Sequence, residues 1–192
     1  MKIEKIELFL CRLPLVHFFE TSFGRSYDRT FILVRVEGDG HEGWGESVAE
    51  ANPYYSSETT ETVWHIVSGF IAPLIVGQAF AHPREIYPAL KRVRGHNMAK
   101  AGVEMAAWDL FARLQGKPLS AVLGGTRDRI ASGVSIGIQD SYDQLIGKVE
   151  KEVRKDGRVT WALTSKMPLR NAAGEIIGTF GISKNISEIK ES

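Results

Sequence analysis

Cysteine is almost lacking from this sequence, since Cys11 is the one cysteine among 192 residues. An intramolecular disulfide is therefore excluded, and the fold has no need of an oxidising compartment. Long apolar runs are lacking too: no stretch approaches the roughly 20 apolar residues of a membrane helix. The first residues mix charged with apolar side chains, unlike a secretory signal peptide. These absences predict a cytoplasmic chain without a membrane partner.

An excess of charge of either sign is also lacking. The 24 lysines and arginines are balanced by 23 aspartates and glutamates, which gives a formal net charge of +1. Such a chain has no overall field that would draw it to nucleic acid. The histidines show neither HxH nor HExxH spacing, so the sequence predicts no zinc site. Nucleic acid is not expected as a partner.

Three β-strands are predicted in the first 50 residues. Apolar and charged residues alternate from Ile3 to Leu13, and Pro14 ends this run. An apolar run at Phe31–Val36 and the segment Gly43–Val48 predict two further strands. The turn signal Gly38-Asp39-Gly40 joins the last two runs, so the strands are predicted to form an antiparallel meander. A sheet of this size needs helices on one face.

Helices are predicted to supply that layer. Ser56 and Ser57, followed by Glu58, are typical of a capped and acidic helix start. The strongest helical pattern runs from about Asn97 to Gln115, and Gly116 suits a left-handed position just after its end. On this helix, the four-residue spacing predicts ion pairs of Asp109 with Arg113 and of Glu104 with Lys100.

The pattern changes twice after residue 128. Val134–Ile138 is typical of a strand buried on both faces, and a predicted helix from about Gln144 to Val153 completes one βα unit. Two alternating runs, Val159–Met167 and Glu175–Ile182, then predict a hairpin around a turn at Arg170–Gly174. A complete (β/α)8 barrel takes about 250 residues and does not fit in this chain.

We therefore predict an α+β fold in three parts. Residues 1–128 are expected to form the three-stranded meander with its helical layer, 129–153 one βα unit of an incomplete barrel, and 154–192 the hairpin with an exit segment. The second boundary falls at the end of a predicted helix, which is an unusual place for a domain boundary. It suggests a gene fusion or a truncated reading frame.

Five strings carry a resemblance to a known family: PLVHFFETSFG (14–24), EGWGESVAE (42–50), GHNMAKAGVEMAAWDLFARLQGKPL (95–119), LGGTRD (123–128) and GVSIGIQ (133–139). By their order and spacing, Met1 to about Val153 resembles the N-terminal capping region of the enolase superfamily. The resemblance is strongest to the o-succinylbenzoate synthase and N-acylamino acid racemase subgroup. It implies a cap over a barrel, and Mg2+-assisted removal of a proton alpha to a carboxylate. The outcome would be dehydration of a cyclohexadiene carboxylate or racemisation of N-acylamino acids.

The same resemblance places the chemistry in strands that this chain does not contain. It implies two catalytic lysines, one of them in a Lys-x-Lys, and three acidic metal ligands on later barrel strands. No Lys-x-Lys occurs in the sequence, and the family pattern ends before those strands. We therefore expect no catalytic residue, no metal ligand and no cofactor in this chain, and no activity of the chain alone.

A few substrate-contacting positions carry over by resemblance. They are Phe19, Thr21 and Phe23 in a first cap loop, Glu50 in a second cap loop, and Ser135 on the first barrel strand. In the subgroup these cap loops close over the substrate. Structural interpretations stay open beside this one: the phenylalanines could pack under the helical layer, and the hydroxyl of Ser135 could bond to backbone.

The segment Lys155 to Ser192 resembles the C-terminal strands and exit segment of a PAS domain, through RKDGRVTWALTSKMPLRNAAGEIIGTFGISKNISEIK. An uncovered edge between Val159 and Ile182 predicts strand pairing with a partner or with a second copy of the chain. Three functions therefore stay open: an inactive o-succinylbenzoate synthase-like protein, a sensing or interaction module, and a fusion without function.

Overall fold

A computed structural model describes residues 1–21, 24–130, 136, 139–148, 162–170 and 176–185, with backbone alone for Thr21 and for the last two ranges. The chain divides into two compact units, Met1–Ala131 and Ser132–Ser192. Across the described ranges, no helix has the length and apolar character needed to cross a membrane.

The first unit contains the predicted antiparallel meander. Strands β1 (Lys5–Thr21), β2 (Gly24–Gly38) and β3 (His41–Ser47) pair in the order β1-β2-β3. Asp39 and Gly40 both have left-handed φ angles, 49° and 77°, between the paired residues Gly38 and His41. Two positive φ angles in a two-residue connection are the geometry of a type I′ hairpin turn, which matches the strand twist.

The first strand is longer than the sequence predicts. Pro14 pairs with Asp28 instead of ending the strand, and after a shift in register the ladder resumes with Phe19 opposite Ser26. Since β1 lies at the edge of the sheet, a proline there need not cost a ladder hydrogen bond. The segment expected to be the first loop is therefore a two-stranded ribbon through Thr21.

The helical layer of the first unit follows the sheet. It comprises α1 (Thr60–Ile66), a π-helical turn (Val67–Ile71), α2 (Ala72–Ile75), a 3-10 turn (Pro83–Glu85), α3 (Ile86–Ala89), α4 (Asn97–Leu114) and α5 (Leu119–Val122).

The first helix begins later than its predicted serine caps. Thr59 caps α1 in a reciprocal box with Thr62: the Thr62 N–H donates to the Thr59 hydroxyl at 3.2 Å, and the Thr62 hydroxyl accepts from the Thr59 N–H at 2.8 Å. Glu58 serves a different helix, because its carboxylate accepts hydrogen bonds from the N–H groups of Met98 and Ala99 at 3.0 and 3.1 Å. It therefore caps α4.

Helix α4 confirms the strongest pattern in the sequence. Its predicted apolar side is buried at Ala99, Val103, Ala106 and Leu110, and Gly116 has the predicted left-handed φ, 60°. The predicted Asp109–Arg113 pair is present at 2.9 Å. The Glu104–Lys100 pair is wrong, since the Lys100 ammonium donates instead to the carbonyl of Val93 at 2.6 Å.

The core lies between the sheet and α4. Alternate residues of β2 (Ile32, Val34 and Val36) are fully buried against the helical layer. The helix lies directly on β3, because a Cβ atom at Gly43 or Gly45 would overlap the α4 backbone near Ala106 and Gly102. The missing side chains permit this close contact.

The second unit contains a two-stranded antiparallel sheet, β4 (Ala162–Arg170) with β5 (Ile176–Asn185). Two antiparallel strands were predicted here, and the observed ones end at Arg170 and Asn185, each three residues beyond the end of its predicted run. Residues 142–148 are helical, in partial agreement with the predicted helix. Of the predicted strand Val134–Ile138 only Ile136 is described, and it has no regular secondary structure. The boundary predicted at residues 153 and 154 lies outside the described residues.

Candidate functional site

The candidate site lies where the β1–β2 ribbon meets the segment after β3. The ribbon is formed by the outer halves of the two strands, with Glu20 opposite Arg25 and Thr21 opposite Gly24. The segment from Val48 to Glu58 leaves β3 and leads to α1, and it contains Glu50. Both segments belong to the first unit, so their arrangement is set by the meander and its helices.

Charge pairs and an aromatic contact hold the ribbon together. Glu20 binds the guanidinium of Arg25 at 3.1 Å, and that guanidinium lies 4.2 Å above the Phe18 ring. The Phe18 ring is in turn 6.2 Å from the ring of Tyr27. Each contact is at least partly exposed and therefore weak. The backbone ladder between the two strands sets their pairing, and these contacts add to it.

A second ion pair lies nearer the body of the sheet. Arg12 donates to Asp28 at 2.6 Å, and this hydrogen bond lowers the pKa of the Asp28 carboxyl below its usual value. The side chain of Arg12 is 73% exposed, so solvent screens the attraction. This pair lies just before the register shift between Pro14 and Phe19 and marks the base of the ribbon.

Glu50 is fixed in the structure by contacts on both its side chain and its backbone. The guanidinium of Arg29, on β2, donates to the Glu50 carboxylate at 2.8 Å. The Glu50 carbonyl accepts from the N–H of Thr60 at 3.0 Å, and Glu50 forms an isolated bridge with Thr59. The second predicted loop is thereby joined to the ribbon at one end and to the start of α1 at the other.

The side-chain alternation of β2 separates one of the predicted site positions, Phe19, from Glu50. Phe19 pairs with Ser26, so it shares a face with the even-numbered residues of β2. Arg29, which holds Glu50, belongs to the odd-numbered face. Phe19 is 54% exposed and therefore open to a ligand. The structure brings Glu50 to Arg29 and places Phe19 on the other face of the ribbon.

Two of the predicted site residues, Phe23 and Ser135, lie outside the described residues, and for Thr21 the backbone alone is given. Their substrate contacts remain predictions. Arg29 was not recognised from the sequence. Its position in the meander is the signal that could have identified it. Arg29 is a basic residue two positions before the buried part of β2, and it lies on the face that leads toward the segment after β3.

Metal binding finds no support in the described part of the chain, where no group of three or more His, Cys, Asp or Glu side chains converges. Asp109 illustrates the point. Its carboxylate accepts hydrogen bonds from the Trp44 N–H and from Arg113, each at 2.9 Å, so it is used structurally. Among the described residues, none therefore forms a set of ligands that fits a magnesium ion.

Comparison with known proteins gives a consistent result. Residues 5–124 match the family model described as the mandelate racemase / muconate lactonizing enzyme N-terminal domain. The o-succinylbenzoate synthase of Geobacillus kaustophilus is 43% identical over 159 residues, covering 82% of this chain and 42% of that protein. The N-succinylamino acid racemase of Thermus thermophilus is 41% identical, covering 82% and 43%. The chain thus spans about two fifths of the length of these curated relatives.

One curated match extends over the whole chain. The o-succinylbenzoate synthase of Bacillus subtilis is 32% identical over 206 aligned residues, covering all of this chain and 55% of that protein. Among solved structures, a member of the enolase superfamily from Listeria innocua has a TM-score of 0.74 and 33% identity, covering 80% of this chain and 42% of that chain. Another, from Enterococcus faecalis, has a TM-score of 0.71 and 39% identity, covering 81% and 42%.

Proposed function

The chain belongs to the mandelate racemase / muconate lactonizing enzyme N-terminal domain family of the enolase superfamily, and from this we propose that its first unit is the substrate-covering cap of an o-succinylbenzoate synthase-like or N-succinylamino acid racemase-like enzyme. The carrying observation is the 43% identity over 159 residues to an o-succinylbenzoate synthase. The contact of the Glu50 segment with β2 through Arg29 supports it, because it places the two cap segments implied by the family resemblance beside each other.

In this proposal the cap binds and shields, and does no chemistry. Phe19 and Phe23 contribute apolar surface against the substrate, Thr21 and Ser135 contribute hydroxyls, and the Arg29–Glu50 pair holds the second segment in place. Covering a reaction site excludes water and strengthens polar contacts to the substrate. Members of the superfamily depend on Mg2+, but the described residues do not fit that ion. We therefore propose that the 192-residue chain alone, which we place in the cytoplasm, catalyses no turnover.

A chimera tests the cap directly. Residues 1–124 of this chain would replace the matching segment of the Geobacillus kaustophilus enzyme, and o-succinylbenzoate synthase activity would be measured. We expect Phe19→Ala in the chimera to lower kcat/KM about tenfold, which corresponds to about 1.4 kcal/mol of lost transition-state binding. Tyr27→Ala, which removes an aromatic ring from the opposite face of the same ribbon, is the matched control and should change kcat/KM less than threefold, about 0.6 kcal/mol.

The role of the Arg29–Glu50 ion pair is tested in the same chimera. Arg29→Gln and Glu50→Gln should each raise KM with little loss of thermal stability, because exposed ion pairs contribute about 0–1 kcal/mol to folding. The double variant should be no worse than the single ones, since the two groups act together. A folded chimera without activity, or equal losses in Phe19→Ala and Tyr27→Ala, would contradict the proposal.

A second candidate function concerns the second unit alone. Its strands β4 and β5 pair antiparallel, whereas a (β/α)8 barrel is built from parallel strands. This observation favours the PAS-like sensing or interaction module, while the whole-chain match to the Bacillus subtilis enzyme favours the enzyme assignment. A chain in which an enzyme cap and a PAS-like module are joined but do not act together would be the fusion without function that the sequence also allows.

A module of this kind is expected to self-associate. The described sheet has two strands, so each has one edge without a neighbouring strand in that sheet, and such edges pair readily with other strands. Sedimentation at several concentrations tests this: the module proposal expects a mass that rises from one chain to two. A monomer at every concentration would contradict it.

A further inference from the structure

A groove on the first unit, separate from the candidate site, has one apolar wall and one basic wall. Ile66, Phe70 and Leu74 line one side at four-residue spacing, from the end of α1 through the π-helical turn into α2. Arg92, Arg94 and His96 line the other side, between α3 and α4. The groove has a volume of about 490 Å3, within the usual range for small-molecule sites. We call it the basic groove.

The apolar wall is partly exposed. Phe70 is 50% exposed, while Ile66 and Leu74 are partly buried against the core. The wall spans the π-helical turn Val67–Ile71. Such turns occur frequently at functional sites.

The two arginines of the basic wall have no counter-ion among the described residues. Neither guanidinium, that of Arg92 or that of Arg94, forms a hydrogen bond or ion pair with any described residue. The carboxylate of Glu58, at the start of α4, accepts hydrogen bonds from the N–H groups of Met98 and Ala99. The positive charge of this wall is therefore available to an anion.

The segment that carries the basic wall is held in a fixed and strained shape. Gly95 and His96 are both left-handed, with φ 63° and 51°, and this conformation is uncommon for a histidine. The ammonium of Lys100, 6% exposed, donates to the Val93 carbonyl at 2.6 Å. The buried Nδ1 of His96 has no hydrogen-bond partner in the described part of the chain. A buried polar atom without a hydrogen-bond partner is unusual in a folded protein.

We propose that the basic groove binds a small organic carboxylate with an apolar body. The carboxylate would accept paired hydrogen bonds from the Arg92 or Arg94 guanidinium, whose fork matches two carboxylate oxygens. The apolar body would cover Phe70 and its neighbours on the opposite wall. An inorganic anion would use half of the groove only, and a neutral apolar molecule would leave both guanidiniums unpaired. This proposal is independent of the cap function, since none of its residues belongs to the ribbon or to the Glu50 segment.

The test uses the full chain and 4-phenylbutyrate as the probe. Amide chemical shifts are followed by NMR during titration, with 4-phenylbutanamide as the neutral analogue and inorganic phosphate as the anion without an apolar body. We expect saturable shifts at Gly69, Gly95 and their neighbours with the carboxylate, in the millimolar range. The affinity should fall with rising salt, since part of the attraction is between exposed charges.

Variants identify the wall that binds. Arg92→Gln with Arg94→Gln should weaken 4-phenylbutyrate binding at least tenfold, and Phe70→Ala should weaken it severalfold. Lys91→Gln is the matched control, because Lys91 carries the same charge beside the groove without lining it, and it should bind as the unchanged chain does. Unchanged spectra without ligand establish that the variants fold. Absence of saturable shifts, equal binding of the amide, or equal losses in Lys91→Gln would overturn the proposal.

Discussion

The carboxylate of Asp109 in α4 accepts a hydrogen bond of 2.9 Å from the backbone N–H of Trp44 in β3. The side chain also receives the Arg113 guanidinium at 2.9 Å and is 22% exposed. A helix side chain thereby satisfies a backbone donor of an edge strand, which otherwise depends on water. This bond ties α4 to the sheet at the level where the two pack most closely.

Removing that carboxylate should destabilise the first unit. We expect Asp109→Ala to lower the free energy of unfolding by about 2 kcal/mol, because hydrogen bonds to charged groups contribute about 1.5–3 kcal/mol. Chemical denaturation followed by tryptophan fluorescence measures the change. Glu104→Ala, on the same helix, is the control and should stay within about 0.5 kcal/mol. Equal losses in both variants would show that the bond to Trp44 contributes nothing.

The glycines of β3 should not tolerate a side chain. Gly43→Ala and Gly45→Ala would each place a methyl group into the α4 backbone, and overpacking of this kind costs about 1–3 kcal/mol or more. We expect a thermal melt to show a large drop in Tm or no folded state. Gly69→Ala, where no atom lies within 4 Å of the added carbon, should keep the original Tm within a few degrees. A normal Tm in either β3 variant would contradict the close packing.

The N-cap of α1 can be tested against the serines predicted for that role. Thr59→Ala should cost about 1 kcal/mol of stability, since it removes the hydroxyl that accepts from Thr62. Ser57→Ala should cost almost nothing, because Ser57 is exposed and makes no side-chain hydrogen bond in the described part of the chain. Urea denaturation of both variants decides between the two cap positions. A larger loss of stability in Ser57→Ala than in Thr59→Ala would support the predicted serine cap.

Acid should weaken the sheet through Glu7. Hydrogen bonds from Lys5 and from Arg35 lower the pKa of the Glu7 carboxyl to about 2. The folded chain therefore binds fewer protons at this position than the unfolded chain, whose pKa is about 4.3. This contribution is fully present above the unfolded pKa and is lost as the pH falls through about 2. Denaturation at a series of pH values should show the loss.

Glu7→Gln should flatten that dependence, because the amide does not titrate. Glu46→Gln, an exposed position on the same face of the sheet, is the matched control and should leave the slope unchanged. An NMR titration of the Glu7 side chain measures the pKa itself. A value near 4.3, or equal slopes for Glu7→Gln and the unchanged chain, would contradict the prediction.

Much of the first unit could be predicted because the local signals agree with the final structure. The apolar run Phe31–Val36, the turn signal at Gly38-Asp39-Gly40 and the apolar side of α4 all depend on short-range rules of pattern and turn geometry. Pro14 was misjudged because its effect depends on whether the strand lies at an edge, which is a property of the sheet. The caps were misjudged because Glu58 bonds to Met98, forty residues away in the sequence.

The candidate site was less predictable for the same reason. The resemblance pointed to Glu50, but its partner Arg29 becomes visible only when the register of β2 and the path of the following segment are known. The face of the ribbon on which Phe19 lies likewise depends on the register shift after Pro14. A shift by one residue would place Phe19 on the opposite face. The basic groove was not foreseen, since Phe70 and Arg94 are brought together by packing between helices.

The contact between α4 and the glycines of β3 also limits how this chain can change in length. One residue inserted into or deleted from α4 would turn all following positions by about 100° and move them by about 1.5 Å. Side chains from a different helix face would then meet Gly43 and Gly45, where no space exists for them. Insertions and deletions among related sequences should therefore be excluded from β3 and α4, and should accumulate between Ala51 and Tyr55, whose residues are all exposed.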